Sequence, residues 1–157
     1  MGNVTPLDAI TLAIAALGAV LGIINTWQAV DQNRVKLRVS VRVAYFFVGP
    51  QLSTDPQLAI EVINRSPFPL TISEIGLELR DSRDVLALVQ PIFADGGKLP
   101  RRLESRSALT GYTAQGDTLR MLSRNPSRGY AKTDSGEVAR SSRRAFQALL
   151  NSFHARR

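Results

Sequence analysis

The chain has 157 residues with 20 Lys and Arg against 13 Asp and Glu, a net charge of +7, no cysteine and one histidine, His154. Without thiols there is no disulfide or thiolate metal site, and one histidine near the C-terminal end, read here as plain surface, rules out Ser-His-Asp, Cys-His and multi-histidine zinc chemistry. Carboxylates are sparse: the pair Asp134 and Glu137 is explained by a turn, so the chain reads as non-enzymatic, with no catalytic residue, cofactor or metal expected.

The stretch Leu7–Trp27, LDAITLAIAALGAVLGIINTW, carries no charge from Ala9 to Ile24. At about 1.5 Å per residue it reaches roughly 31 Å, the thickness of a hydrocarbon core. It predicts a transmembrane helix over residues 9–30, with Trp27 as an interfacial aromatic and residues 1–8 as a short non-cytoplasmic tail. A cleaved signal fits less well, because the leader holds Asp8 and no Lys or Arg. Arg34, Lys36, Arg38 and Arg42 follow the helix with no Lys or Arg before it, so the positive-inside rule places the remaining chain in the cytoplasm.

Small and polar residues recur along one stripe of that helix: Asp8, Thr11, Ala15, Gly18, Gly22, Asn25 and Ala29. Gly18 and Gly22 form a G-x-x-x-G, which lets two backbones approach, and Thr11 and Asn25 stand where they would bond across a contact. Helix–helix packing, and hence a homo-oligomer, is expected through Thr11, Ala15, Gly18, Gly22 and Asn25.

Residues 35–157 then read as one β-sandwich domain. Val35–Val48 alternates apolar and polar residues, which predicts one long strand ended by Gly49 and Pro50, with Gln51–Pro56 as a loop. Leu58–Asn64 is a second strand, residues 64–69 a Pro-containing turn, and Leu70–Leu79 a third strand whose apolar parity changes near Ser73, where a bulge would restore burial. Asp81–Asp84 reads as a turn and Val85–Val89 as a strand ended by Pro91.

The segment LAIEVINRSPFPLTISEIGLEL, residues 58–79, resembles a pattern of the small immunoglobulin-like β-sandwiches found in bacterial single-pass membrane proteins of unknown role: strand, Asn, short Pro-containing turn, strand, Gly. The resemblance implies a fold and a topology, an immunoglobulin-like antiparallel β-sandwich behind a transmembrane helix, and carries no functional residue with it. With no cysteine and Trp27 as the only Trp, the disulfide-and-tryptophan pin of antibody domains is absent.

Further on, Asp95-Gly96-Gly97 is a turn, Leu99–Glu104 an extended piece, and Ala108–Thr113 a strand crossing from one sheet to the other. Asp117–Leu122 reads as a helical turn and Asn125–Gly129 as loop. Gly129–Thr133 and Glu137–Arg140 form a hairpin, and Ser142 caps a closing helix, residues 142–153, with Phe146, Leu149, Leu150 and Phe153 on its inner face.

Residues 1–97 hold 7 Lys and Arg against 9 Asp and Glu, while residues 98–157 hold 13 against 4. The basic half offers a surface of Arg101, Arg102, Arg140, Arg143 and Arg144 to the lipid bilayer, and Arg156 and Arg157 could join it. Nucleic acid is the weaker partner, since only Tyr112, Tyr130, Phe146 and Phe153 are available for stacking and two of them belong in a core. These features point to an inner-membrane, single-pass interaction or assembly module with a protein partner of unknown identity. A membrane-acting effector of phage or defence type stands as an alternative, although the uncharged middle of the helix provides no pore lining.

Overall fold

The computed structural model describes residues 6–48, 51–52, 55–80 and 84–154. The expected tail up to residue 5, the Gly49-Pro50 break, residues 81–83 of the predicted turn, and Arg156 and Arg157 lie outside the described residues, as does the side chain of His154. The chain divides into two compact units, residues 1–34 and 35–157.

The first unit is a helix, α1 (Pro6–Gln32), longer at both ends than the predicted span. Pro6 opens it at a position where a missing N–H costs nothing. The hydroxyls of Thr11 and Thr26 donate back to Leu7 O (2.9 Å) and Gly22 O (2.8 Å), which leaves neither polar group unsatisfied in an apolar surround. Ile10–Gln32, 23 residues with a mean hydropathy of 1.9, is long and apolar enough to cross a membrane, and its apolar side chains are exposed.

The second unit is mainly β. In chain order it contains β1 (Leu37–Ala44), β2 (Phe47–Val48), β3 (Gln51–Leu52), β4 (Gln57–Asn64), β5 (Leu70–Leu79), β6 (Val85–Ala87) and β7 (Ile92–Phe93). There follow β8 (Arg101–Leu103), β9 (Ala108–Tyr112), α2 (Asp117–Leu122), β10 (Pro126–Thr133), β11 (Val138–Arg140) and α3 (Arg143–His154). One antiparallel sheet runs β1-β4-β9-β7, and a second runs β11-β10-β5-β6 with β8 also paired to β5. The two share one core: Val39, Leu58, Ile60 and Val62 from the first meet Ile72, Ile75, Leu77 and Ala131 from the second, and Phe146 of α3 closes one side.

Register explains where the expected elements changed. The predicted strand Val35–Val48 is interrupted: β1 ends at Ala44, opposite Gln57, because the next partner position is Pro56, which has no N–H to donate. Phe47–Val48 pairs instead with Gln51–Leu52, so part of the predicted 51–56 loop is a short ribbon. The bulge expected near Ser73 is present: Lys132 faces Glu74 and Thr133 faces Ile72, which leaves Ser73 as the extra residue and returns Ile72, Ile75 and Leu77 to the core. Predicted as loop, Pro126–Gly129 instead opens β10, with Pro126 tolerated at the first position of the strand and a second register shift at Ser127. The strand from Val85 stops at Ala87, and Ile92–Phe93, not foreseen as a strand, joins the first sheet beside β9.

The connection from β8 to β9 carries the chain from the second sheet to the first, and Asn64 is pinned beside it. Its Nδ2 donates to Phe68 O (2.9 Å), Leu103 O (3.1 Å) and Glu104 O (3.2 Å), while Oδ1 accepts from Ser66 N (2.9 Å). The side chain is fully buried. Truncating it strands several buried backbone groups at once, so Asn64→Ala should lower unfolding free energy by about 2–4 kcal/mol. Denaturant unfolding of the detergent-solubilised chain checks this, and a loss below about 1 kcal/mol would show that the network does not tie the sheets.

Candidate functional site

Two regions of the second unit gather chemistry. The first is the face of the second sheet turned away from the core. Strand alternation places Glu74, Gly76 and Glu78 there, opposite Lys132, Tyr130 and Arg128. Glu78 accepts from Arg128 Nε (2.5 Å) and Arg140 Nε (2.6 Å). Burial pushes the Glu78 carboxyl up, but the hydrogen bonds from Arg128 and Arg140 outweigh it and hold the group below the usual glutamate range.

Beside this pair the Tyr130 hydroxyl donates to Glu74 Oε1, and the ring lies against Gly76, where a Cβ would fall 2.9 Å from Tyr130 Cε1. Burial first, and then the Glu74 hydrogen bond, push the Tyr130 hydroxyl well above the ordinary tyrosine range, so it stays protonated and donates to Glu74. These groups are mutually satisfied. They clamp β10 and β11 to β5, and Lys132 is exposed on the same face.

The second region lies along β1, whose one edge pairs with β4 while the other faces β11 and α3. Here a groove of about 400 Å3 is lined by Lys36, Arg38, Arg65 and Arg140 together with Ser141 and Ser142, and no carboxylate is among its lining residues. Backbone bonds hold it in shape: Lys36 N donates to Ser66 Oγ (2.8 Å), Arg65 N to Lys36 O (2.7 Å) and Gly129 N to Ser141 Oγ (2.9 Å). Gly129 is required here, because a Cβ would collide with Val41 Cγ2 of β1. Two acids touch lining residues: Glu61, opposite Ser40 on the same face of the first sheet, accepts from Ser40 Oγ (2.8 Å) and pairs with Arg42 (3.5 Å), and Glu78 accepts from Arg140. A separate groove of about 410 Å3 is lined by Arg42, Val43, Tyr45, Leu149 and Phe153.

The residues expected from the sequence fall as follows. Thr11, Ala15, Gly18, Gly22 and Asn25 are all exposed on α1, and a Cβ at Gly18 or Gly22 meets nothing within 4 Å. The Thr11 hydroxyl is engaged by its own helix rather than standing free for a contact. The basic residues divide. Arg101 and Arg102 are neighbours on β8 and point to opposite faces. Arg101 binds Asp95 (Nη1 to Oδ1, 2.7 Å) and lies 5.8 Å from the Phe93 ring centre. Its hydrogen bond, followed by that of the Gly97 N–H, holds the Asp95 carboxyl far below the usual carboxylate range. Arg102 pairs with Glu104 (2.8 Å) and Arg140 with Glu78, while Arg143 and Arg144 are exposed at the start of α3.

Arg120 and Arg124 line a separate cavity against β6, so the cations of residues 98–157 form several groups. Lys36, Arg38 and Arg65 were read as flank and turn residues; only the pairing of β1 as an edge strand brings them to one groove with Arg140. Among the described residues no three His, Cys, Asp or Glu side chains are grouped to hold a metal ion. Compared with models of known families and with curated proteins, the chain matches none.

Because Glu78 is held below its unfolded pKa, its contribution to stability is full above the ordinary glutamate range and is lost as pH falls through and below about 4.3. Glu78→Gln removes the charge and should flatten the acid limb of stability against pH while lowering stability at neutral pH. Thermal midpoints of the two chains measured from neutral to acid pH check this, and parallel curves would show that Glu78 is not the titrating tie.

Proposed function

We propose that the chain is a single-pass membrane protein in which α1 spans the bilayer and residues 35–157 form a cytoplasmic, immunoglobulin-like β-sandwich that acts as a protein-interaction or assembly module. The observation that carries this is α1 itself: a 23-residue, predominantly apolar span with its apolar side chains uncovered, far beyond the exposed patch that a soluble surface tolerates. Arg34, Lys36, Arg38 and Arg42 follow it, and they favour the cytoplasmic side for the sandwich. The strand, Pro-containing turn and strand of residues 58–79, followed by a crossing between two antiparallel sheets, supports the immunoglobulin-like assignment. Copies of the chain associate through the stripe that contains Gly18 and Gly22, where open space allows close backbone approach.

A reporter active only in the cytoplasm and one active only outside it, each fused after Arg157, test the orientation. Cytoplasmic signal in the membrane fraction is expected; external signal overturns the orientation, and signal in the soluble fraction overturns the span. For self-association, Gly18→Leu with Gly22→Leu should reduce the cross-linked dimer in membranes several-fold without changing the amount of chain inserted. An unchanged dimer fraction places the contact elsewhere.

A further inference from the structure

We propose that the open edge of β6 receives an extended acidic peptide segment of a partner protein, which adds a strand to the second sheet and brings a carboxylate to Arg120 and Arg124. The groove for it, about 760 Å3, has β6 as one wall and α2 with its exit as the other. This narrows the interaction module proposed above to one kind of partner, and it rests on that reading.

Backbone geometry makes the edge receptive. β6 pairs with β5 on one side, and among the described residues no strand pairs with its other side. Leu79 N donates to Asp84 O (3.1 Å) and Leu88 N to Ile75 O (2.9 Å), so Asp84 and Leu88 turn these groups toward β5. Alternation along an antiparallel strand then turns the backbone groups of Val85 and Ala87 to the open side. A helix has no free donors and acceptors at that spacing, and an extended chain has.

The side chains favour addition as well. Val85–Val89 reads Val-Leu-Ala-Leu-Val with no charge and no proline, whereas β1, also at a sheet edge, carries Arg38 and Arg42. The charges that usually guard an edge are missing here. Val85 and Val89 are 46% and 88% exposed, and Met121 of α2 lines the facing wall.

Charge selects the partner. Asp117, Arg120 and Arg124 line the groove from α2 and its exit, and Asp117 stands 4.0 Å from Arg120 in an exposed pair of the weak i,i+3 kind. The lining therefore keeps an excess of one positive charge. Arg80 and Asp84, at the ends of the turn between β5 and β6, lie outside the lining and offset each other. Glu78, opposite Val85, is held by Arg128 and Arg140. Two copies meeting edge to edge would set the same positive excess against itself, whereas an acidic segment is attracted to it.

Fluorescence anisotropy of the full chain in neutral detergent tests the proposal, with a labelled pentapeptide of alternating glutamate and valine as the probe. The same peptide with lysine for glutamate, and the acidic peptide with every amide N-methylated, serve as controls. The acidic peptide should bind at millimolar concentration or below, the lysine peptide several-fold more weakly, and the N-methylated one not at all. Ala87→Pro removes an N–H from the open side, where proline is tolerated, and should abolish binding. Arg120→Gln and Arg124→Gln, at exposed positions, should each weaken it by up to about fivefold, and they serve if Ala87→Pro unfolds.

No binding at millimolar peptide, equal binding of either control, or binding unchanged by Ala87→Pro and by both Gln variants would overturn the proposal. So would a dimer that survives Gly18→Leu with Gly22→Leu and is lost with Ala87→Pro, since that puts a second copy on the edge. The topology reporters separate the groove from the anchor. Peptide binding by a chain found in the soluble fraction removes the span and keeps the groove, whereas an anchored chain that ignores the peptide loses the groove alone.

Discussion

The buried carboxamide of Asn64 is the constraint on which the second unit depends. It lies at the end of β4, in the first sheet, and satisfies carbonyls of β8 and its exit, in the second. A buried amide so placed cannot be exchanged for an apolar group without leaving backbone acceptors unpaired, and each of those costs as much as a lost hydrogen bond. The same side chain accepts from Ser66 N and fixes the turn between β4 and β5. Ser66 in turn accepts from Lys36 N through its hydroxyl and from Ser105 through its carbonyl. The start of β1 is therefore placed by the network that joins the two sheets.

From that placement follows the groove. β1 enters the sheet at its edge, and its outer side is left to α3 and β11 rather than to another strand. Open edges invite pairing with other chains, and Arg38 and Arg42 on β1, with Lys36 just before it, are the kind of charges that discourage it. Here Lys36 and Arg38 fall beside Arg65 and Arg140, while Arg42 pairs with Glu61. A safeguard against aggregation thus becomes an electropositive recess, provided that β10 comes close, which the missing side chain of Gly129 permits.

A similar economy holds on the far face of the second sheet. Arg128, Arg140, Lys132, Glu74, Glu78 and Tyr130 would count as dispersed surface groups by position in the chain, yet Glu78 joins two arginines from different strands and Tyr130 is nearly covered. Part of the positive charge of residues 98–157 is therefore answered within the fold. That is why a count of basic residues overstates the free positive surface, and why Arg101, held by Asp95, belongs to a turn rather than to a basic face.

Local order alone determined a good part of this protein. The length and apolarity of α1, the alternation that makes β1 and β4, the parity change that requires a bulge at Ser73, and the Ser142 start and apolar face of α3 are all properties of near neighbours, legible because side-chain periodicity follows backbone geometry. What only the tertiary structure decided depends on which strands pair and in what register. Val35–Val48 is one periodic stretch, but Pro56 on the partner strand ends its ladder; Pro126 looks like a loop residue until β5 stands opposite it. Lys36, Arg38, Arg65 and Arg140 span more than a hundred positions and become one groove only because an edge strand, a turn and a hairpin are brought together by long-range hydrogen bonds. No local pattern encodes that meeting, since each cation taken alone is an ordinary surface residue.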